Sequence, residues 1–138
     1  MNFYSIHHFL VHNLPRESFL FYVSWYFILT LIAKAVVLVF TGYENHFGKA
    51  FLISLLSHSL FQAGFVIYVY SPLPKPFLFE VAFTLWLVYG VVLDFIIFMI
   101  FRFSIHCILT GLLAALTSNV LNGGILLLAL MIFAALKF

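Results

Sequence analysis

Residues 77–101, FLFEVAFTLWLVYGVVLDFIIFMIF, decide the class of this protein. Only two of these residues, Glu80 and Asp94, are charged, and the stretch contains no proline. A helix needs roughly 20 mostly apolar residues to cross a bilayer, because the hydrocarbon core is about 30 Å thick. The stretch therefore predicts a transmembrane helix.

The composition extends this prediction to the whole chain. Of the 138 residues, 66% are hydrophobic and 7% are charged, whereas soluble domains are about 25% charged. The six basic residues are scattered, so no basic patch predicts nucleic-acid binding. One cysteine excludes an intrachain disulfide and a multi-cysteine metal site. We expect an integral membrane protein in contact with the lipid bilayer, and place it in the plasma (inner) membrane.

Further apolar segments flank residues 77–101 and predict an all-α, multi-pass helical bundle. Thr41-Gly42 and the proline-rich residues 71–76 cannot continue a helix and separate the segments. The bundle forms a single transmembrane domain over residues 1–138. Spans are predicted over residues 18–40, 49–70, 77–101 and 103–121.

The C-terminal stretch, residues 103–138, has two interpretations. As one helix it would be about 54 Å long, far more than one bilayer crossing. Asn122-Gly123-Gly124 lies in its middle and predicts a break. Residues 125–138 would then form a short fifth span, a re-entrant helix or an interfacial helix. Four spans, or four spans and a fifth short helix, both remain open.

Four polar residues lie deep within apolar segments: Lys34, His58, Asp94 and His106. Lys34 lies eight residues before Gly42 and Asp94 eight residues before Arg102, so each is about 12 Å from the same side of the bundle. His58 reaches a similar level from the opposite direction, and His106 is shallower. We therefore predict one buried layer of Lys34, His58 and Asp94. Lys34 either pairs with Asp94 or extends along its own helix to the surface.

A polar stripe follows the second span. Ser54, His58 and Gln62 are four residues apart, with Ser57 beside them, so they share one helix face. Lipid cannot satisfy these groups, so the stripe should face the bundle interior. It would supply hydrogen bonds between helices, or form the wall of a polar cavity.

The third span carries a similar pattern. Glu80 and Asp94 are fourteen residues apart and lie on nearly the same helix face, with Thr84 between them. This spacing is compatible with a proton or cation route. Glu80 is equally explained as an interfacial carboxylate near a helix N-terminus, where the helix dipole favours it.

Small and amide residues recur at four-residue spacing in the last segment. Small residues let two helices approach closely, within one bundle or between subunits. The amides beside the predicted break also offer a weak signal for binding an ion or a lipid headgroup. The residues are Thr110, Ala114, Ser118 and Asn122, a second row of Gly111, Ala115 and Asn119, and the pair Gly123 and Gly124.

The sequence contains no recognisable catalytic motif, neither Gly-x-Ser-x-Gly nor His-Glu-x-x-His. His58 and His106 differ in depth by about 6 Å, which is poor for two axial haem ligands. We therefore expect no cofactor, no metal and no enzyme activity.

Two functions remain: a subunit or scaffold of a membrane protein assembly, or a small transporter or channel coupling ion or proton movement through Lys34, His58 and Asp94. Either would work as a homo-oligomer or with other membrane subunits.

Overall fold

Four consecutive helices form the described part of the chain. The computed structural model describes residues 16–102 and 104–136, without the side chains of residues 16–23, 106, 133, 134 and 136. The all-α class is confirmed, since these ranges contain helices and no strand. The helices are α1 (Arg16–Phe40), α2 (Phe47–Tyr70), α3 (Phe79–Phe101) and α4 (Ile105–Leu136).

Short connections bring successive helices together as antiparallel neighbours. The loop over residues 41–46 turns at Gly42, whose φ of +74° lies in the left-handed region that glycine adopts without strain. The helices pack in a closed ring, α1 against α2, α2 against α3, α3 against α4 and α4 against α1. The contact between α2 and α3 is the least extensive of the four.

Three helical segments are long and apolar enough to cross a membrane. They are Phe47–Tyr70, Phe79–Phe101 and Cys107–Ile132, as judged from length and composition over the described residues. The apolar part of α1 that the structure describes, Ser24–Phe40, is shorter. The chain is thus a helical bundle compatible with a small membrane protein.

The break expected at Asn122-Gly123-Gly124 is wrong, because α4 is one helix of 32 residues that runs through it. No separate short fifth helix follows within the described residues. A glycine in a helix costs only about 1 kcal/mol relative to alanine. Unpairing the backbone in apolar surroundings costs several kcal/mol per group. Gly123 also contributes packing, since a Cβ there would lie 2.9 Å from Leu87 Cδ2 and 3.1 Å from Phe83 Cζ.

The apolar core occupies one half of the bundle, next to the loop over residues 41–46 and the C-terminal end of α3. We call this the closed half, and the half next to the loop over residues 71–78 the open half. Gly111, Ala114 and Ala115 of α4 lie in the closed half, so their tight packing is made within the chain. Core residues include Ala35, Leu38, Ala50, Phe98, Ala114 and Ala115.

Tyr43 is a loop residue whose burial and hydrogen bonds stabilise the closed half. Its side chain is fully buried, and its hydroxyl donates to the backbone oxygen of Phe98 at 2.6 Å. Arg102 donates in return to the backbone oxygen of Tyr43. Burial raises the pKa of Tyr43 to about 12, so the phenol remains a donor at neutral pH. The loop between α1 and α2 is thereby joined to the end of α3.

Candidate functional site

Asp94 lies at the centre of the bundle, where all four helices meet. Its side chain is fully buried. The nitrogen of Lys34, on α1, lies 2.8 Å from each carboxylate oxygen of Asp94. Lys34 is only 2% exposed, so its side chain does not extend along the helix to the surface. The two opposite charges therefore balance each other within the interior.

Hydrogen bonds from α2 and α4 complete the coordination of this carboxylate. Ser57 accepts a hydrogen bond from Lys34 at 3.2 Å and donates to Oδ1 of Asp94. On α4, the side-chain amide of Asn119 donates to Oδ2 at 2.6 Å, and the Ser118 hydroxyl lies 3.4 Å from the same oxygen. Each carboxylate oxygen thus accepts from at least two donors, Lys34 and Ser57 on Oδ1 and Lys34 and Asn119 on Oδ2, and we call the carboxylate saturated on this account. Ser57, rather than His58, joins the ion pair.

The His58 side chain contacts a second polar layer at the level of Thr30, one turn along α1 from Lys34 towards the open half, although His58 is the residue next to Ser57. Its Nε2 lies 3.0 Å from the Thr30 hydroxyl and 3.4 Å from the side-chain nitrogen of Gln62. Its Nδ1 has no hydrogen-bond partner among the described residues. The ring lies between Phe27 and Phe61, with centroid distances of 4.9 and 6.0 Å. The imidazole is therefore held in place mainly by aromatic packing and one hydroxyl.

A third polar layer joins α1 to α4. The Tyr26 hydroxyl donates to the side-chain oxygen of Asn122 at 2.7 Å. The nitrogen of the same amide has no partner within the described ranges. Asn122 is 2% exposed, so this nitrogen is a buried donor.

These three layers form a row along the bundle axis, which we call the polar row. On α1 its members are Tyr26, Thr30 and Lys34, at four-residue spacing, so that one face of α1 carries all three. Sequence reasoning found Lys34 and missed the other two. Their four-residue spacing from Lys34 could have identified Tyr26 and Thr30, but tyrosine and threonine are too common in apolar helices to stand out.

A large cavity opens in the open half, above the polar row. Its volume is about 650 Å³, within the range of about 300–1,000 Å³ typical of ligand sites. All four helices and the loop over residues 71–78 contribute to its wall. We call it the aromatic cavity, because its lining includes Tyr26, Phe65, Tyr68, Phe79, Phe83, Trp86 and Tyr89, together with Gln62 and Lys75.

Other predicted residues have different positions. Ser54 is buried one turn from His58, and its hydroxyl has no partner among the described side chains and backbone. Glu80 and Thr84 are exposed, and the Thr84 hydroxyl donates to the backbone oxygen of Glu80 at 2.8 Å. No contact connects these two with Asp94 over the described ranges. The side chain of His106 lies outside the described residues.

The rows on α4 divide between the inside and the outside of the bundle. Thr110 is half-buried and donates to the backbone oxygen of Cys107 at 3.3 Å. Gly124 is exposed, and a Cβ there would meet no atom of the described residues within 4 Å. The remaining members are buried, namely Gly111, Ala114, Ala115, Ser118, Asn119, Asn122 and Gly123.

Comparisons of the chain with known proteins identify no relative. The chain matches no protein-family model, no curated protein and no solved structure at a significant level. Within the described residues, no three His, Cys, Asp or Glu side chains are grouped so that they could hold a metal ion. The polar row, the aromatic cavity and the outer surface are therefore the features that indicate a function.

Proposed function

We propose that this chain is a non-enzymatic integral membrane protein whose bundle acts as a scaffold or subunit in a membrane protein assembly. The observation that carries the proposal is the saturated Asp94 carboxylate, which accepts hydrogen bonds from the other three helices. A group bound in this way fixes the arrangement of the helices and has no free lone pair for acid–base chemistry. The plasma (inner) membrane is the location that we propose.

The outer surface supports the same function. Large apolar side chains are exposed along the helices, for example Ile67 at 70% and Ile100 at 74%. Such a surface is stable only in contact with lipid or with other apolar helices. A rigid interior with an apolar exterior suits a protein that works through its surface.

A leucine at Gly124 tests the assembly. Because a Cβ there meets no described atom within 4 Å, Gly124→Leu should leave the bundle intact, while it blocks close approach of another helix to this face. We expect the variant to lose its partner chains, or its additional copies, when its mass and composition are measured by light scattering and native mass spectrometry in a mild detergent.

Ala63→Leu is the matched control, since Ala63 is an exposed small residue on α2. It should leave the mass unchanged if the interface lies on α4. A wild-type protein that purifies as a single copy, with no other chain, would contradict the scaffold proposal.

The alternative is a small oligomeric transporter that couples ion or proton movement through Lys34, His58 and Asp94. The polar row favours it, because Tyr26 and Gln62 line the aromatic cavity and the row leads from them towards Asp94. The unpartnered nitrogen of His58 also lies within this row.

Proton flux distinguishes the two functions. The double variant Lys34→Met/Asp94→Leu removes both buried charges together and avoids an unpaired one. For a scaffold, proteoliposomes holding the wild type or this variant should dissipate a pH gradient no faster than empty vesicles, as followed with an entrapped pH-sensitive dye. A flux present in the wild type and lost in the variant would instead support the transporter.

A further inference from the structure

The aromatic cavity has an apolar interior and a lysine, Lys75, in its wall. Among the described lining residues, Lys75 alone is charged. Its nitrogen donates to the backbone oxygen of Ser71 and lies 5.8 Å from the centroid of the Tyr68 ring. Lys75 forms no ion pair with any residue that the structure describes. An ammonium group has three donors, so Lys75 can still bind an anion.

Lys75 lies at the outer end of the cavity, in the loop over residues 71–78. The lining residues Phe79 and Pro76 are at the same level, whereas Tyr26, Gln62 and Tyr89 line the cavity further along their helices from this loop. If α2 and α3 cross a bilayer, this loop lies at the interface, where lipid headgroups are found. The charge thus sits at headgroup level and the rings at acyl-chain level.

The packing of α2 and α3 explains how the cavity forms. These neighbours have the least extensive contact in the ring, and bulky rings hold them apart in the open half, where Phe61 packs on Trp86 and Tyr89 at 5.1 and 5.2 Å. Tyr89 also projects its hydroxyl against Gly64.

We propose that the aromatic cavity binds one acyl chain of an anionic membrane lipid, with the lipid headgroup on Lys75. The inference rests on the proposed membrane location of the chain. The volume suits an elongated apolar group, the lining is aromatic, and the unpaired cation selects a negative headgroup over a zwitterionic one.

Trp86 provides a direct reporter. The chain has two tryptophans. Trp86 lines the cavity, whereas Trp25 is 50% exposed. In the Trp25→Phe background, the protein is reconstituted into phosphatidylcholine vesicles that carry brominated phosphatidylglycerol or, separately, brominated phosphatidylcholine. Bromine quenches tryptophan fluorescence on contact. We expect half-maximal quenching at about a fivefold lower mole fraction of phosphatidylglycerol, the ratio that corresponds to about 1 kcal/mol per lysine at a membrane surface.

Two charge variants identify the headgroup site. Lys75→Gln should remove the preference for phosphatidylglycerol, and Lys49→Gln, an exposed lysine at the other end of α2, should retain it. Ala82→Phe, which fills the cavity from α3, should weaken quenching by both lipids. Val88→Phe, on the exposed side of the same helix, should not.

The outcomes separate this inference from the proposed function. Flotation with the vesicles tests membrane insertion alone, and a chain that does not float fails both proposals. A chain that floats, yet shows equal quenching by the two lipids or a preference that survives Lys75→Gln, overturns only the lipid site. A blue-shifted Trp86 emission that neither lipid quenches also overturns only the lipid site, because another protein segment then covers the cavity.

Discussion

Asp94→Asn should lower the free energy of unfolding by about 3–5 kcal/mol, the usual cost of removing one partner from a buried ion pair. Asparagine preserves the shape of the side chain but leaves the Lys34 ammonium, 2% exposed, without an opposite charge. It also weakens the hydrogen bonds from Ser57 and Asn119, which now end on a neutral group. Unfolding by sodium dodecyl sulfate in mixed micelles, followed by circular dichroism, measures the change.

The double variant Lys34→Met/Asp94→Leu should recover most of this loss. Replacing a buried ion pair by apolar groups of similar volume is often neutral or stabilising. Ser57 then loses its side-chain partners, at about 1 kcal/mol, whereas Ser118 and Asn119 keep their bonds to the backbone oxygen of Ala115. We therefore expect the double variant within about 2 kcal/mol of the wild type.

Glu80→Gln is the control for the loss of a carboxylate. Glu80 is exposed, so its substitution should change stability by no more than about 0.5 kcal/mol. If Asp94→Asn were as mild as Glu80→Gln, the ion pair would not fix the bundle, and the main support for a scaffold would be lost.

Depth along each helix could be predicted from sequence, and rotation about the helix axis could not. Counting residues from the ends of two spans placed Lys34 and Asp94 at one level, where the structure has their 2.8 Å contact. The same counting placed His58 in that layer. Ser57 and His58 differ by one residue, or about 100° of rotation, and this difference decides which of them contacts Asp94.

The predicted break in the C-terminal helix does not form, for an energetic reason. Asn122-Gly123-Gly124 has weak helix propensity, but local propensity is worth about 1 kcal/mol per glycine. Tertiary contacts outweigh it, because Tyr26 bonds to Asn122 and Leu87 packs close to Gly123. The aromatic cavity could not be predicted from the sequence either, because it depends on the distance between α2 and α3.

Gly90→Ala should have the second large effect on stability, a loss of about 2–4 kcal/mol. Gly90 lies one turn before Asp94 on α3, and a Cβ there would overlap Asn119 Oδ1 and lie 3.0 Å from its Cγ. Asn119 cannot easily move aside, because its amide donates to Asp94 at 2.6 Å and to the backbone oxygen of Ala115 at 2.8 Å. Phe61 closes the other side, with Cε2 at 3.2 Å.

Three contributions determine this loss. Overpacking costs about 1–3 kcal/mol, displacement of the hydrogen bond to the carboxylate costs about 1.5–3 kcal/mol, and the better helix propensity of alanine returns about 1 kcal/mol. Gly124→Ala should have the opposite sign and stabilise the bundle by up to about 1 kcal/mol, because Gly124 is helical and exposed, and a Cβ there would meet no described atom within 4 Å.

Sodium dodecyl sulfate unfolding of both alanine variants measures the contrast between the two sites. Adding Asn119→Ala to Gly90→Ala removes the clash, so the double variant should lose less stability than the two single changes added together. Strictly additive losses would mean that Gly90 and Asn119 do not press on each other. Such a result would contradict the close contact between α3 and α4 beside Asp94, on which the saturated carboxylate depends.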